Sequence, residues 1–222
     1  MYNFSYFKEK DKNRILEFIA NNPFAFLTGS NLSGIQVATQ IPILVEERQG
    51  ELILQGHIMR KTDHHKALSE NPQALIVFTG PHAYVSASWY SDPKIGSTWN
   101  YMSVHVSGKV NFMSDEELVQ FMRKLTLKFE GGNNQSPTFY DNLPEEFLKK
   151  MMPAIVGFEL KADKIENVFK LSQNRDEKSY HNIISHLEKK GGSSTLVAKE
   201  MQKRIPELFP PGAVWDASKF DS

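Results

Sequence analysis

Two stretches of the chain concentrate side chains that could hold a flat ligand with a polar rim. The first is Gly80–Tyr90 followed by Thr98-Trp99-Asn100-Tyr101, where large rings alternate with small hydroxyls and an amide. A buried Tyr or Trp needs a partner for its O–H or N–H, and Asn is a poor strand former. Trp99 and Asn100 are therefore candidate ligand residues, and the alternative is a barrel rim packed with aromatic side chains.

The second stretch is Lys170–Arg175, which directly follows the apolar pair Val168-Phe169. It is rich in hydrogen-bond donors, and its candidate ligand residues are Lys170, Gln173, Asn174 and Arg175. The alternative interpretation is a solvated strand exit.

A third group of side chains has the chemistry of a phosphate site. A phosphate is best held by several converging donors beside a helix N-terminus. The segment after the predicted strand Glu51–His57 offers both, and its candidates are His57, Arg60, Thr62 and Lys66. The alternative is an exposed polar loop. His57, His64 and His65 lack a recognised zinc spacing, so we predict no metal.

Composition excludes several classes of protein. The 222 residues include 26 Lys and Arg and 26 Asp and Glu, so the net charge is zero and gives no support to binding of DNA by the whole surface. A local basic patch stays open as an alternative, because two predicted C-terminal helices across Gly191-Gly192 resemble a helix-turn-helix and the second carries Lys199, Lys203 and Arg204. The absence of cysteine excludes disulfides and cysteine nucleophiles.

The sequence shows no segment that predicts membrane targeting or a membrane span. Its N-terminus lacks the apolar segment of a signal peptide. No apolar run approaches the roughly 20 residues that span a bilayer. We therefore expect a cytoplasmic protein.

The periodicity of the chain predicts an α+β fold. Short strands joined by hairpin turns precede residue 113, which is typical of a small antiparallel barrel. We predict that Ala74–Phe78 is a strand buried on both faces and that 154–160 and 168–171 are separate late strands. Ser114 and Glu117 form a capping box at the start of the clearest helix. Helices are expected over 176–190 and 195–204, before an extended C-terminal tail.

Several of these segments together resemble the PaiB-like family of FMN-binding regulators in the flavin split-barrel superfamily. The resemblance covers roughly residues 1 to 190. Its motifs stand in family order, and they are Asn22-Pro23-Phe24, Val37-Ala38-Thr39-Gln40-Ile41-Pro42, Gly56-His57, Gly80–Ser86, Ser88-Trp89-Tyr90, Thr98–Tyr101, Ala154–Phe158 and Lys170–Arg175. Two places depart from the family pattern. Gln40 stands where the family usually has His, and Ile58–Lys66 replaces a stretch that commonly reads A-x-x-N-P-Q-W-[RK].

The resemblance implies a split-barrel flavin-binding domain over 1–172 with a C-terminal helical extension over 173–222. It further implies a homodimer with FMN at the subunit interface, its phosphate near the exit of the strand that ends at His57. The family is named for negative regulation of transcription. Two alternatives stay open, a flavin-dependent oxidoreductase and a DNA-binding repressor that acts through the C-terminal helices.

Overall fold

The computed structural model describes residues 1–212 and 214–220 and has an α+β architecture. Its strands are β1 (Phe24–Ser30), β2 (Gln36–Pro42), β3 (Leu44–Arg48), β4 (Glu51–Met59), β5 (Gln73–Val85), β6 (Thr98–Phe112) and β7 (Ile155–Lys170). Its α-helices are α1 (Lys12–Asn21), α2 (Asp63–Glu70), α3 (Asp115–Phe129), α4 (Glu145–Met151), α5 (Glu177–Lys190), α6 (Ser193–Gln202) and α7 (Ile205–Leu208). The predicted fold class is confirmed.

The strands form one sheet in the order β2-β1-β5-β6-β7-β4-β3. Strand β1 pairs antiparallel with both β2 and β5. Strand β4 pairs antiparallel with both β3 and β7. The hairpins β1–β2 and β3–β4 join strands that are neighbours in sequence, as the turn residues between them predict.

Two strands are longer than the sequence indicates. Strand β5 continues through Gly80-Pro81, where the turn-forming pair favoured a break. Gly80 lies against Phe18, and an added Cβ there would come within 2.5 Å of the Phe18 ring. Strand β7 joins the two predicted late strands into one of 16 residues. The middle of β7 has mostly exposed, polar side chains, and this composition indicated a loop between two strands.

The middle of β5 is not buried on both faces. Ala74, Ile76 and Phe78 are buried, whereas Leu75 and Val77 are partly exposed. The alternation is typical of a strand with one covered face and one open face. The continuous apolar run concealed this period, because both faces carry apolar side chains.

The chain divides into two compact units whose boundaries fall inside β5, β6 and β7. Unit 1 contains Met1–Phe18, Thr79–Val104 and the described residues from Glu166 onward, and unit 2 contains Ile19–Phe78 and His105–Ile165. The domain boundary after residue 172 stays a prediction.

Unit 2 has a core between α3 and strand side chains. The capping box at Ser114 and Glu117 is present, so the start of α3 is as predicted. One face of α3 is buried in a cluster formed by Leu44, Met113, Leu118, Phe121, Leu125 and Ile155.

Unit 1 contains the C-terminal helices. Helices α5 and α6 bury Tyr180, Ile183 and Met201 among other side chains. The predicted extended tail is wrong at two places, because Ile205–Leu208 is helical and Ala217–Phe220 forms a 3-10 turn. Pro206 lies in the first turn of α7, where its missing N–H leaves no hydrogen bond unmade.

Candidate functional site

A pocket in unit 2 collects part of the predicted phosphate site. Its volume is about 460 Å³, and β2, β4 and the start of α2 line it. The lining residues are Ala38, Thr39, Ile41, His57, Ile58, Met59, Thr62, Asp63 and His64. His57 and Thr62 are thus placed together as the sequence predicts. Thr39 and His64 also line the pocket, although neither was among the predicted ligand residues.

The backbone donors at the start of α2 are already engaged. Thr62 is the N-cap residue of α2, and its Oγ1 accepts from the backbone N–H of His65 at 3.4 Å. The backbone N–H of His64 donates to Oδ1 of Asp63 at 2.8 Å. An anion in the pocket therefore depends on side-chain donors.

Two histidines that line this pocket each have a buried ring nitrogen with no hydrogen-bond partner among the described residues. These nitrogens are Nδ1 of His57 and Nε2 of His64. Burial lowers the pKa of the His57 imidazole, so its ring is neutral at neutral pH. A buried polar atom without a partner is costly, and a ligand that supplies one gains the hydrogen bond in full. These two nitrogens fit a group that brings hydrogen-bonding oxygens, such as a phosphate ester.

The other two predicted phosphate residues do not line the pocket. The guanidinium of Arg60 donates from Nε to the carbonyl oxygen of Ile155 at 2.7 Å and from Nη2 to Asp115 at 3.1 Å. Lys66 lies one turn into α2 with an exposed side chain. The Arg60 guanidinium is thus engaged by other residues of unit 2, and Lys66 contributes positive charge from the surface of α2.

In unit 1, Trp99 and Lys170 lie side by side. Trp99 is 53% exposed, and its ring centroid is 6.0 Å from that of Tyr84 and 5.9 Å from that of His82. The ammonium of Lys170 donates to the carbonyl oxygen of Trp99 at 3.0 Å and to the hydroxyl of Thr98. Burial, and then the charge of Arg175, lowers the pKa of Lys170. An accessible aromatic face therefore stands next to a cation.

Two predicted rim donors are used inside unit 1. Asn100 is fully buried; its Oδ1 accepts from the hydroxyl of Ser172 at 2.9 Å and its Nδ2 lies 3.4 Å from Sδ of Met201. The carboxamide of Gln173 accepts from the backbone N–H of Leu171 at 2.7 Å and donates to a backbone carbonyl. Both amides hold the turn after β7, in which Ser172 adopts the left-handed backbone conformation with φ 62°.

The last two predicted rim residues are more accessible. Asn174 and Arg175 are half-buried. The guanidinium of Arg175 lies 4.8 Å from the ring centroid of Tyr90, which is a cation–π distance. Trp99, Lys170, Asn174 and Arg175 thus remain the more accessible of the predicted ring-binding residues.

Two general findings concern metals and membranes. Within residues 1–212 and 214–220, no group of three or more His, Asp or Glu side chains could hold a metal ion. In the same residues, no helix is long and apolar enough to cross a bilayer.

This chain is similar to known proteins in both sequence and fold. A family described as "Putative FMN-binding domain" matches residues 1–164. The protease synthase and sporulation protein PAI 2 of Bacillus subtilis is 32% identical over 188 residues, which are 85% of this chain and 89% of that protein.

Two solved structures resemble the fold. The flavocytochrome Anf3 from Azotobacter vinelandii superposes with a TM-score of 0.56 at 18% identity, over 82% of this chain and 78% of that one. An FAD- and heme-binding protein from Mycobacterium smegmatis gives 0.55 at 19% identity, over 73% and 72% of the two chains.

The sheet and its likeness to these two structures confirm the predicted split-barrel fold. The chain belongs to the FMN-binding family of the PaiB type, as its motifs predicted, and FMN is its cofactor. His64 lies in the donor-rich segment after His57 but was not among the predicted ligand residues. Its burial beside the pocket could not be derived from the spacing of the three histidines.

Proposed function

We propose that this protein is a cytoplasmic FMN-binding regulator of the PaiB type, with the FMN phosphate in the pocket between β2, β4 and α2. The observation that carries the proposal is that two histidines lining that pocket each have a buried ring nitrogen without a partner among the described residues. The regulatory role follows the name of the PAI 2 relative.

In this proposal the phosphate contacts His57 and lies beside Thr62, whose hydroxyl already donates to the carbonyl oxygen of Met59 at 2.8 Å. Lys66 on α2 and the nearby Arg60 add positive charge without reaching into the pocket. A charge-assisted hydrogen bond contributes about 1.5–3 kcal/mol. One such contact is therefore worth at least about tenfold in FMN affinity.

The isoalloxazine ring is assigned to the Trp99 surface. The exposed face of Trp99 covers the ring, and Asn174 supplies a hydrogen bond at the rim. Lys170 and Arg175 place positive charge beside it, which favours the reduced, anionic flavin. Asn100 and Gln173 position the ring-binding residues without contacting the ring, because their amides hold the turn that carries them.

We further propose a homodimer that forms through the open face of β1 and β5. Phe24 is 58% exposed and Phe26 is 38% exposed on that face, and Phe26 stands opposite Val77 in the register. An apolar sheet face of this kind is a typical protein–protein contact. A split-barrel flavin site requires a second copy of the chain, and we assign that copy to this face.

We assign no DNA contact to the C-terminal helices. Arg204 is buried and paired with Glu9 and Glu200, and Lys203 is also paired with Glu200. Helix α6 itself carries a single cation, the exposed Lys199, and one cation contributes little to the release of counterions that dominates DNA affinity.

Titration of the purified protein with FMN and with riboflavin tests this function. Riboflavin has the same ring and lacks the phosphate. We expect FMN to bind at least about tenfold more tightly, with a visible flavin absorption in the complex. Lys66→Ala removes a surface charge near the pocket and should weaken FMN by about threefold while leaving riboflavin unchanged. Equal affinity for the two flavins would rule out the phosphate placement.

A further inference from the structure

The segment between β4 and α2 carries several basic side chains, but most of them are engaged. Arg60 is bonded to Ile155 and Asp115. Nδ1 of His65 accepts from the backbone N–H of Lys61 at 3.1 Å, where Lys61 has a left-handed φ of 65°. His64 differs, because it is 8% exposed, lines the pocket and has an unpartnered Nε2.

Asp63 determines which nitrogen of His64 carries the proton. Oδ1 of Asp63 lies 3.2 Å from Nδ1 of His64. The backbone N–H of His64 holds the pKa of the Asp63 carboxyl below its usual range, so this group is ionised at neutral pH. An ionised carboxylate can only accept a hydrogen bond. Nδ1 of His64 is therefore the donor, and in the neutral ring Nε2 is a bare acceptor.

An unprotonated Nε2 of His64 and an unprotonated phosphate oxygen are both acceptors, so they cannot form a hydrogen bond with each other. We propose that His64, oriented by Asp63, is a phosphate-binding residue that takes up a proton at Nε2 when FMN enters the pocket. The inference rests on the proposed function. It makes the retention of FMN depend on pH, because the contact forms only with the imidazolium.

Strands β1, β2 and β4 pack against the helix that carries His64. Of these strands, β1 and β2 carry no ionisable side chain. Asp63 is the acidic neighbour of His64, and its carboxylate is exposed to solvent. The other ionisable side chains of α2, of the preceding turn and of β4 are Arg60, Lys61, His65, Lys66, Glu70, Glu51 and His57.

Isothermal titration with FMN at pH 6.5, 7.5 and 8.5 tests the inference. The phosphate monoester is mostly a dianion over this range, since its second pKa is about 6. We expect the Kd of the wild-type protein to rise by about tenfold from the lowest to the highest pH, as one proton-linked contact is lost. His64→Gln offers a neutral donor and should reduce this rise to about threefold or less. His181→Gln, on the exposed surface of α5, is the matched control and should keep the wild-type rise.

The proton itself can be observed in the wild-type protein, which avoids any effect of the variant on folding. At pH 7.5 the 15N resonance of His64 Nε2 should change from the unprotonated to the protonated position when FMN is added. An unprotonated Nε2 in the FMN complex, or a His64→Gln variant that keeps the full pH dependence, overturns the inference alone. Failure to bind FMN more tightly than riboflavin overturns the proposed function together with it.

Discussion

At the residue scale, two neighbouring amides have different roles. Asn100 is buried and accepts from Ser172, so Asn100→Ala leaves a buried donor without a partner. This should lower the free energy of unfolding by about 1–3 kcal/mol without FMN. Asn174 is half-buried on the accessible turn. Asn174→Ala should leave the melting temperature without FMN unchanged and remove most of the stabilisation that FMN adds.

Thermal unfolding with and without saturating FMN separates these outcomes. A melting temperature that Asn174→Ala lowers equally in both conditions would assign Asn174 to the strand end and not to the ring site. An Asn100→Ala protein as stable as the wild type would mean that the Ser172 hydroxyl finds another partner.

At the scale of elements, β6 and β7 approach so closely that a side chain is excluded at one position. A Cβ added to Gly108 would lie 2.0 Å from the backbone carbonyl oxygen of Lys161. Backbone cannot move aside as a side chain can, so Gly108→Ala should destabilise the protein by about 1–3 kcal/mol or more. Gly96→Ala is the control, because nothing lies within 4 Å of its added Cβ. Urea unfolding of the two variants measures the difference, and equal stabilities would contradict the strand pairing.

The ion pairs between β3 and β7 predict a dependence of stability on pH. Hydrogen bonds from Arg48 lower the pKa of Glu159 and of Glu46. A carboxyl whose pKa is lowered in the folded state stabilises the fold above its unfolded pKa of about 4.3. This stabilisation is lost as the pH falls through the lower, folded pKa.

Arg48→Met should therefore lower the melting temperature at pH 7 and reduce its fall between pH 5 and pH 3. Both carboxyls are partly exposed, so solvent screening keeps the effect small. Lys149→Met, which removes an exposed pair with Glu145 on α4, is the control. An acid-induced fall in Arg48→Met as steep as in the wild type would contradict this reasoning.

At the scale of the whole molecule, the open face of β1 and β5 should hold two copies together. Phe26→Lys places a charge on this face, and burying an unpaired charge is costly. We expect the wild type to sediment as a dimer at micromolar concentration and Phe26→Lys as a monomer with weaker FMN binding. Phe129→Lys, at an exposed position at the end of α3, should remain a dimer. A wild-type monomer under these conditions would exclude the dimeric site.

Much of this protein could be derived from local sequence. The capping box predicts the start of α3, and Thr62 before α2 is a typical N-cap residue. The long motifs around Gly80–Ser86 and Thr98–Tyr101 were sufficient to identify the FMN-binding family and hence its fold and cofactor. These features are encoded in neighbouring residues, so a single sequence contains them.

The tertiary structure decided which of the predicted ligand residues are still available to a ligand. Arg60 is engaged by Asp115, 55 residues away, and Asn100 by Ser172, 72 residues away. Nε2 of His64 has no hydrogen-bond partner among the described residues, whereas Asp63 lies at the other ring nitrogen. A side chain has a limited number of hydrogen bonds to make. Whether they go to a ligand or to the fold depends on partners that are distant in sequence, which residue types and spacing do not specify.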